Sequence, residues 1–251
     1  MSSSNRSWPY PRRLAHRGGG SLAPENTLAA IETGHRYGFR AVEFDVMLSA
    51  DEVPVLIHDD TLERTTNGRG KVCETRAADL LRLDAGSWHS PAFAGEPLPS
   101  FEAAARLCRA LGMWMNIEIK PSPGFERQTG RIVALAAARL AAERTDGVPA
   151  PLLSSFSPEA LAAAREAAPH LARGYLISRV PPDWRNRLQA LDCAALHVNH
   201  RHLTPAAAAA AKQAGYGLFC YTVDDPQRVD TLFSWGVDAL CTDRIDLVAA
   251  D

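Results

Sequence analysis

Short apolar runs recur along the whole chain with helix-patterned stretches between most of them, and this alternation is what most limits the fold. Eight strand positions stand out: Arg13 to His16, the pair within Arg40–Asp60, Trp114 to Lys120, Pro151 to Ser154, Arg173 to Ile177, Ala194 to Val198, Gly217 to Thr222 and Val237 to Cys241. The pair is two short strands joined by the polar turn Ser49-Ala50-Asp51-Glu52. Helices are expected from Pro24-Glu25-Asn26-Thr27 to Tyr37, over Phe101–Leu111, from Gly124 to about Arg144, and over Pro158–Ala168. Further helices are expected near Trp184–Leu191, from Thr204-Pro205 to Ala214 and over Pro226–Trp235, with Ile245–Ala250 as a closing helix. Strands alternating with helices imply a mostly parallel α/β sheet, and eight of them imply a (β/α)8 TIM barrel. The rival is an open sheet, but no GxGxxG follows the first strand and no stretch offers itself as a covered edge.

Residues 61–100 break the rhythm with the polar loop Thr65-Thr66-Asn67-Gly68-Arg69-Gly70, a short helix over Ala77–Leu83 and an irregular segment from Trp88 to Pro99. This excursion is expected to be an inserted loop or small subdomain within a single domain spanning 1–251. Residues 1–11, with Pro9 and Pro11, are expected to form a loose arm.

The strands end in groups that do not belong in a core. Glu43 and Asp45 are two residues apart on one strand, so both carboxylates leave the same face while Val42, Phe44 and Val46 take the other. Asn116, Glu118 and Lys120 alternate in the same way on a later strand. Crowded carboxylates repel one another unless something positive sits between them. With no HExxH or cysteine pattern, Glu43, Asp45 and Glu118 suit one hard divalent cation, Mg²⁺, Mn²⁺ or Ca²⁺. The alternative is that each carboxylate pairs with an arginine, and Lys120 with Glu118. His16 and His58 end apolar runs beside this cluster, as a general acid and a general base would. Arg17 and Lys120 bring positive charge to the same mouth, where they can orient a phosphate. Asn26 is either a cap or turn residue or a ligand contact. Together these groups predict metal-assisted phosphoryl transfer to water.

A net charge of −2 argues against a general nucleic-acid binder. No uncharged apolar run reaches the length of a membrane span, and MSSSNRSWPYPRR lacks the apolar region of a secretory signal. Five cysteines without a CxxC pair fit a reducing compartment, so a cytoplasmic location is expected. The oligomeric state, a homo-oligomer included, is left open.

The chain resembles the glycerophosphodiester phosphodiesterases, most of all their short cytosolic bacterial form. The landmarks are His16-Arg17-Gly18, Pro24-Glu-Asn-Thr27, Glu43-Phe-Asp45, Pro54-Val-Leu-Ile-His58-Asp59, Leu62-Glu-Arg-Thr-Thr-Asn-Gly-Arg-Gly70, Asn116-Ile-Glu-Ile-Lys120, Ser155-Phe156, Tyr221-Thr-Val223 and Gly236-Val-Asp-Ala-Leu-Cys-Thr-Asp243. The resemblance implies Glu43, Asp45 and Glu118 as metal ligands, His16 and His58 as catalytic groups, and Arg17 and Lys120 near the phosphate. It further implies a glycerophosphodiester substrate cleaved to sn-glycerol 3-phosphate and an alcohol, with the 61–100 excursion covering the glycerol side. Many relatives carry Trp-Thr-Val-Asn where this chain has Tyr221-Thr-Val-Asp224. Tyr221 can still offer an aromatic face to glycerol, and the acid at 224 either changes the pocket's charge or caps the next helix. Two other outcomes stay open: a lyase that leaves a cyclic phosphate, and a barrel that binds a phosphodiester without turning it over.

Overall fold

The computed structural model describes residues 8–143 and 147–251. Among these residues eight parallel strands close a barrel: β1 (Arg13–Ala15), β2 (Ala41–Leu48), β4 (Trp114–Ile119), β5 (Leu152–Ser155), β6 (Ala172–Ile177), β7 (Ala195–Asn199), β8 (Gly217–Tyr221) and β9 (Ala239–Thr242). β1 pairs with β9 on one side and with β2 on the other, which completes the ring. β3 (Pro54–Leu56) lies outside the ring as an antiparallel partner of β2, with Val46 opposite Leu56 and Leu48 opposite Pro54. Its role is to turn the chain back and deliver His58 to the mouth.

Helices α1 (Leu28–Arg36), α3 (Phe101–Ala110), α4 (Glu126–Ala142), α5 (Pro158–Ala167), α6 (Trp184–Ala190), α7 (Pro205–Gln213) and α8 (Pro226–Ser234) follow the strands, and α2 (Ala77–Leu80) lies in the excursion. Thr27, Ser100, Ser157 and Thr204 each accept a backbone N–H at a helix start, which satisfies a donor that the helix itself leaves unpaired. The expected end of α4 near Arg144 and the first seven residues of the arm lie outside the described residues.

Strand alternation sorts the side chains into two sets. Val42, Phe44 and Val46 face the helix layer and pack with Ile31, Phe101 and Val133, while Leu14, Trp114, Leu152, Phe219 and Cys241 fill the barrel's interior. The excursion has its own apolar cluster, in which Leu62, Val72, Leu80 and Leu98 gather around Met47 and Val55 of the β2–β3 pair.

Two expectations fail. The part of the arm that is described is not loose: Tyr10 stacks on Trp114 at 4.2 Å and Trp8 meets both rings edge-on. The small residues at the barrel floor leave room for these rings, and their burial outweighs the ordering of a short extended segment. Ile245–Ala250 makes a turn instead of a helix, with the Val248 N–H bonded to the Arg244 carbonyl. Ile245 and Val248 are already buried by this single turn, so continuing it as a helix would cover no further apolar side chain.

Candidate active site

His16 and Arg17 leave the end of β1, where the chain enters a tight loop. Arg17 and Asn26 both adopt the left-handed backbone conformation, at φ 50° and 60°, and the Asn26 N–H bonds to the Arg17 carbonyl at 2.9 Å. Gly20, at φ 56°, lets this loop touch the end of β9, since a Cβ there would lie 2.2 Å from the Asp243 carbonyl. The loop is thereby pinned against Asp243, which accepts a hydrogen bond from His16 Nδ1 at 2.7 Å.

At the centre lie Glu43, Asp45 and Glu118, each with a carboxylate oxygen within 4.8 Å of the other two. β2 and β4 run side by side with Asp45 opposite Glu118, so the register brings the three together. Burial, together with repulsion from Asp45, pushes Glu43 up to about 7 against the pull of His16 and Arg17. Glu118 is pushed up to about 8 by burial and Asp45, with Lys120 opposing. Asp45 goes the other way: burial is outweighed by Arg17, His58, Lys120 and a hydrogen bond from Asn26. Three converging hard oxygen donors in a buried setting, two of them disfavoured as anions, fit a hard divalent cation.

His58 Nδ1 donates to Asp59 Oδ1 at 2.6 Å, since the carboxylate, ionised beside Arg64, can only accept. Both histidines thus have Nδ1 committed to a carboxylate, which holds each ring's orientation and leaves Nε2 for the pocket. His16 Nε2 lies 3.7 Å from Glu43 Oε2. Burial opposes protonation of His16, but Asp243 and Glu43 outweigh it and raise it to about 9. His58 is held below its usual value by burial, with Arg17 and Lys120 adding to the effect.

Arg17 donates from Nη1 to Glu25 Oε1 at 2.6 Å, and its Nε sits 3.4 Å from Asp45 Oδ2. Lys120 Nζ is 3.7 Å from Glu118 Oε1. Of the ion pairs expected as an alternative, Asp45 with Arg17 and Glu118 with Lys120 are present beside the carboxylate cluster, while Glu43 meets His16 in place of an arginine. Asn26 commits both ends of its amide to Asp45, donating to Oδ2 at 2.9 Å and accepting the Asp45 N–H at 3.1 Å. Tyr221 donates to the Ile177 carbonyl at 2.9 Å and meets Phe156 edge-on at 5.8 Å. Asp224 caps no helix; it accepts from the Asp243 N–H and Thr242 hydroxyl and so ties β9 to the end of β8, while Asp225 caps α8.

A pocket of about 200 Å³ is lined by His16, Arg17, Glu43, His58, Glu118, Lys120, Phe156 and Tyr221. His58, Glu118, Lys120 and Phe156 also line a neighbouring cavity of about 680 Å³. Sequence reasoning assigned no role to Asp243, Asp59, Glu25 or Arg64. All four stood inside quoted motifs, but their use as partners of His16, His58 and Arg17 follows only from the folded geometry.

Residues 16–247 match the glycerophosphoryl diester phosphodiesterase family. A glycerophosphodiester phosphodiesterase of Caldanaerobacter subterraneus is 33% identical over 236 residues, covering 92% of this chain and 93% of that protein. A phosphodiesterase of Oleispira antarctica, solved in complex with the product sn-glycerol-3-phosphate, superposes with a TM-score of 0.88 at 37% identity over 95% of both chains. A glycerophosphodiester phosphodiesterase from Agrobacterium tumefaciens gives a TM-score of 0.79 at 28% identity, over 95% of this chain and 98% of that one.

Proposed function

This chain belongs to the glycerophosphoryl diester phosphodiesterase family, and we propose that it hydrolyses glycerophosphodiesters to sn-glycerol 3-phosphate and an alcohol with a divalent cation bound. The observation that carries this is the meeting of two histidine–carboxylate pairs with the carboxylate cluster in one pocket. Glycerophosphocholine and glycerophosphoethanolamine are the substrates to try first.

Arg17 and Lys120 orient the phosphate and offset charge that builds on its non-bridging oxygens. One imidazole takes a proton from the nucleophile through Nε2, and the other returns a proton to the leaving oxygen. Asp243 and Asp59 keep the two rings turned to the pocket. Glu43, Asp45 and Glu118 would hold Mg²⁺, Mn²⁺ or Ca²⁺, which when bound supplies Lewis-acid polarisation of the phosphate. Asn26 positions Asp45 within that set. Tyr221, braced by Phe156, offers a ring face to the glycerol. A single domain with residues 61–100 as an insertion accords with the packing of the excursion on the β2–β3 pair. A cytoplasmic site of action accords with five free thiols, and no helix among the described residues is long and apolar enough to cross a membrane.

The test is release of glycerol 3-phosphate from both compounds by chelated protein and by protein with each ion restored. Ion-dependent release is the expected result. No release with any ion would remove the assignment, and a persistent cyclic phosphate would turn it into a lyase. Alanine at His16 or His58 should abolish turnover with cation affinity kept, whereas alanine at Glu43, Asp45 or Glu118 should lose both.

A further inference from the structure

Four charged side chains alternate along one side of the mouth: Asp59, Arg64, Glu25 and Arg17. Arg64 comes from the excursion, and its guanidinium is shared between two carboxylates. Nε and Nη2 donate to Asp59 Oδ2 and Oδ1 at 2.5 and 3.0 Å. Nη1 and Nη2 donate to Glu25 Oε2 and Oε1 at 2.8 and 2.9 Å. Beyond Asp59 stands His58 Nδ1 at 2.6 Å, and beyond Glu25 stands Arg17 Nη1, also at 2.6 Å. One guanidinium therefore links the loop that carries His58 to the loop that carries Arg17.

Stability alone does not account for this arrangement. The Arg64 side chain is 44% exposed, so solvent screening limits what its pairs contribute to folding. What a doubly bidentate guanidinium does supply is geometry, because its planar fork fixes the plane and direction of each carboxylate it grips. Each gripped carboxylate in turn faces a group aimed into the pocket.

We propose that Arg64 is a positioning residue for the hydrolysis, holding His58 through Asp59 and Arg17 through Glu25 so that the two meet the phosphodiester as one unit. The proposal rests on the hydrolase reading of the site. It gives the excursion a specific task, which is to bring one guanidinium across the gap between two mouth loops. Lysine cannot substitute there, since a single ammonium cannot engage two carboxylates along fixed directions.

The experiment compares the full-length wild type with Arg64→Ala, Arg64→Lys, Asp59→Asn and the Arg64→Ala/Asp59→Asn pair. Turnover of glycerophosphocholine or glycerophosphoethanolamine, whichever the wild type cleaves, is followed alongside cation affinity and the thermal unfolding midpoint. A misplaced catalytic group costs on the order of 100-fold, so Arg64→Ala and Arg64→Lys should both lose about 10- to 100-fold in kcat. Cation affinity and the unfolding midpoint should stay at wild-type values. The double variant should lose less than the product of its parents' losses, because both disturb the His58 arm while the Arg64 change alone also frees Arg17. Near wild-type kcat in both Arg64 variants would overturn the proposal. So would losses that multiply in the double variant, or losses confined to variants with a lowered unfolding midpoint. If Arg64→Ala fails to fold, Arg64→Lys carries the comparison. A wild type that cleaves nothing would instead sink the hydrolase reading.

Discussion

His197 on β7 offers a sharp test of how the barrel interior is built. It is fully buried, and neither ring nitrogen has a hydrogen-bond partner. Its ring stacks on Phe219 at 4.5 Å. Burial alone pushes its pKa down from 6.5 to about 3. Because the folded value is depressed, the unfolded chain takes up the proton first as the pH falls. Stability from the neutral ring is therefore intact above about 6.5 and declines as the pH drops from there towards 3. With 1.36 kcal/mol per unit, that decline amounts to about 2 kcal/mol at pH 5. Replacing the ring by His197→Leu removes the titration. Near pH 8 the variant loses the stacking on Phe219 but also sheds the desolvation of two unpaired nitrogens, so the two effects of about 1 kcal/mol each largely cancel. Urea unfolding of both proteins, free of metal, should thus give similar stability at pH 8 and a variant ahead by about 2 kcal/mol at pH 5. Other titrating groups are common to both proteins and cancel in the difference. A difference that stays the same between pH 8 and pH 5 would refute the claim that burial keeps this ring neutral.

Gly174 faces the same ring, and a Cβ there would lie 2.3 Å from His197 Nε2. Gly174→Ala should lose about 1–3 kcal/mol in urea unfolding, with much of the loss recovered in Gly174→Ala/His197→Ala; strictly additive losses would disprove the contact. Asn26→Ala removes both hydrogen bonds to Asp45 at a left-handed backbone position and should cost about 2–4 kcal/mol. Asn26→Gly should recover only the backbone share, and both variants should bind a divalent cation more weakly by calorimetry. Finally, Glu43 and Glu118, raised to about 7 and about 8, together hold on the order of one proton at pH 7 in the cation-free protein. Titrating in the cation in weak buffer at pH 7 should release on the order of one proton per site, and no pH change would refute that account.

The barrel was legible because its signals are local. Alternation in Val42-Glu43-Phe44-Asp45 sends two residues to the helices and two to the mouth, and the neighbouring register with Asn116-Ile-Glu118 follows once β2 and β4 pair. The features that escaped depend on distant partners. Asp243 closes on His16 from the far end of the chain, and Arg64 reaches two carboxylates on different loops. Nothing in Ala195-Leu-His197-Val announces a buried ring, because the space for it is made by Gly174 on the adjacent strand. The N-terminal rings were equally hidden, since two prolines signal irregular backbone but not the barrel floor beneath it.

The charges at the mouth make sense only when taken as two groups. Asp59, Arg64, Glu25 and Arg17 form an outer chain that is neutral within itself. The inner group is not: Glu43, Asp45, Glu118 and Asp243 as anions face Lys120 and a protonated His16, which leaves two negative charges over. Without a cation that excess is relieved by protons, and the upward shifts of Glu43 and Glu118 are its expression. A divalent cation removes the same excess with the carboxylates ionised, whereas a monovalent ion would leave one charge still to be neutralised. The outer chain can therefore be rigid and the inner group responsive. Geometry is fixed by ion pairs that need no metal, and charge is left for the metal to settle.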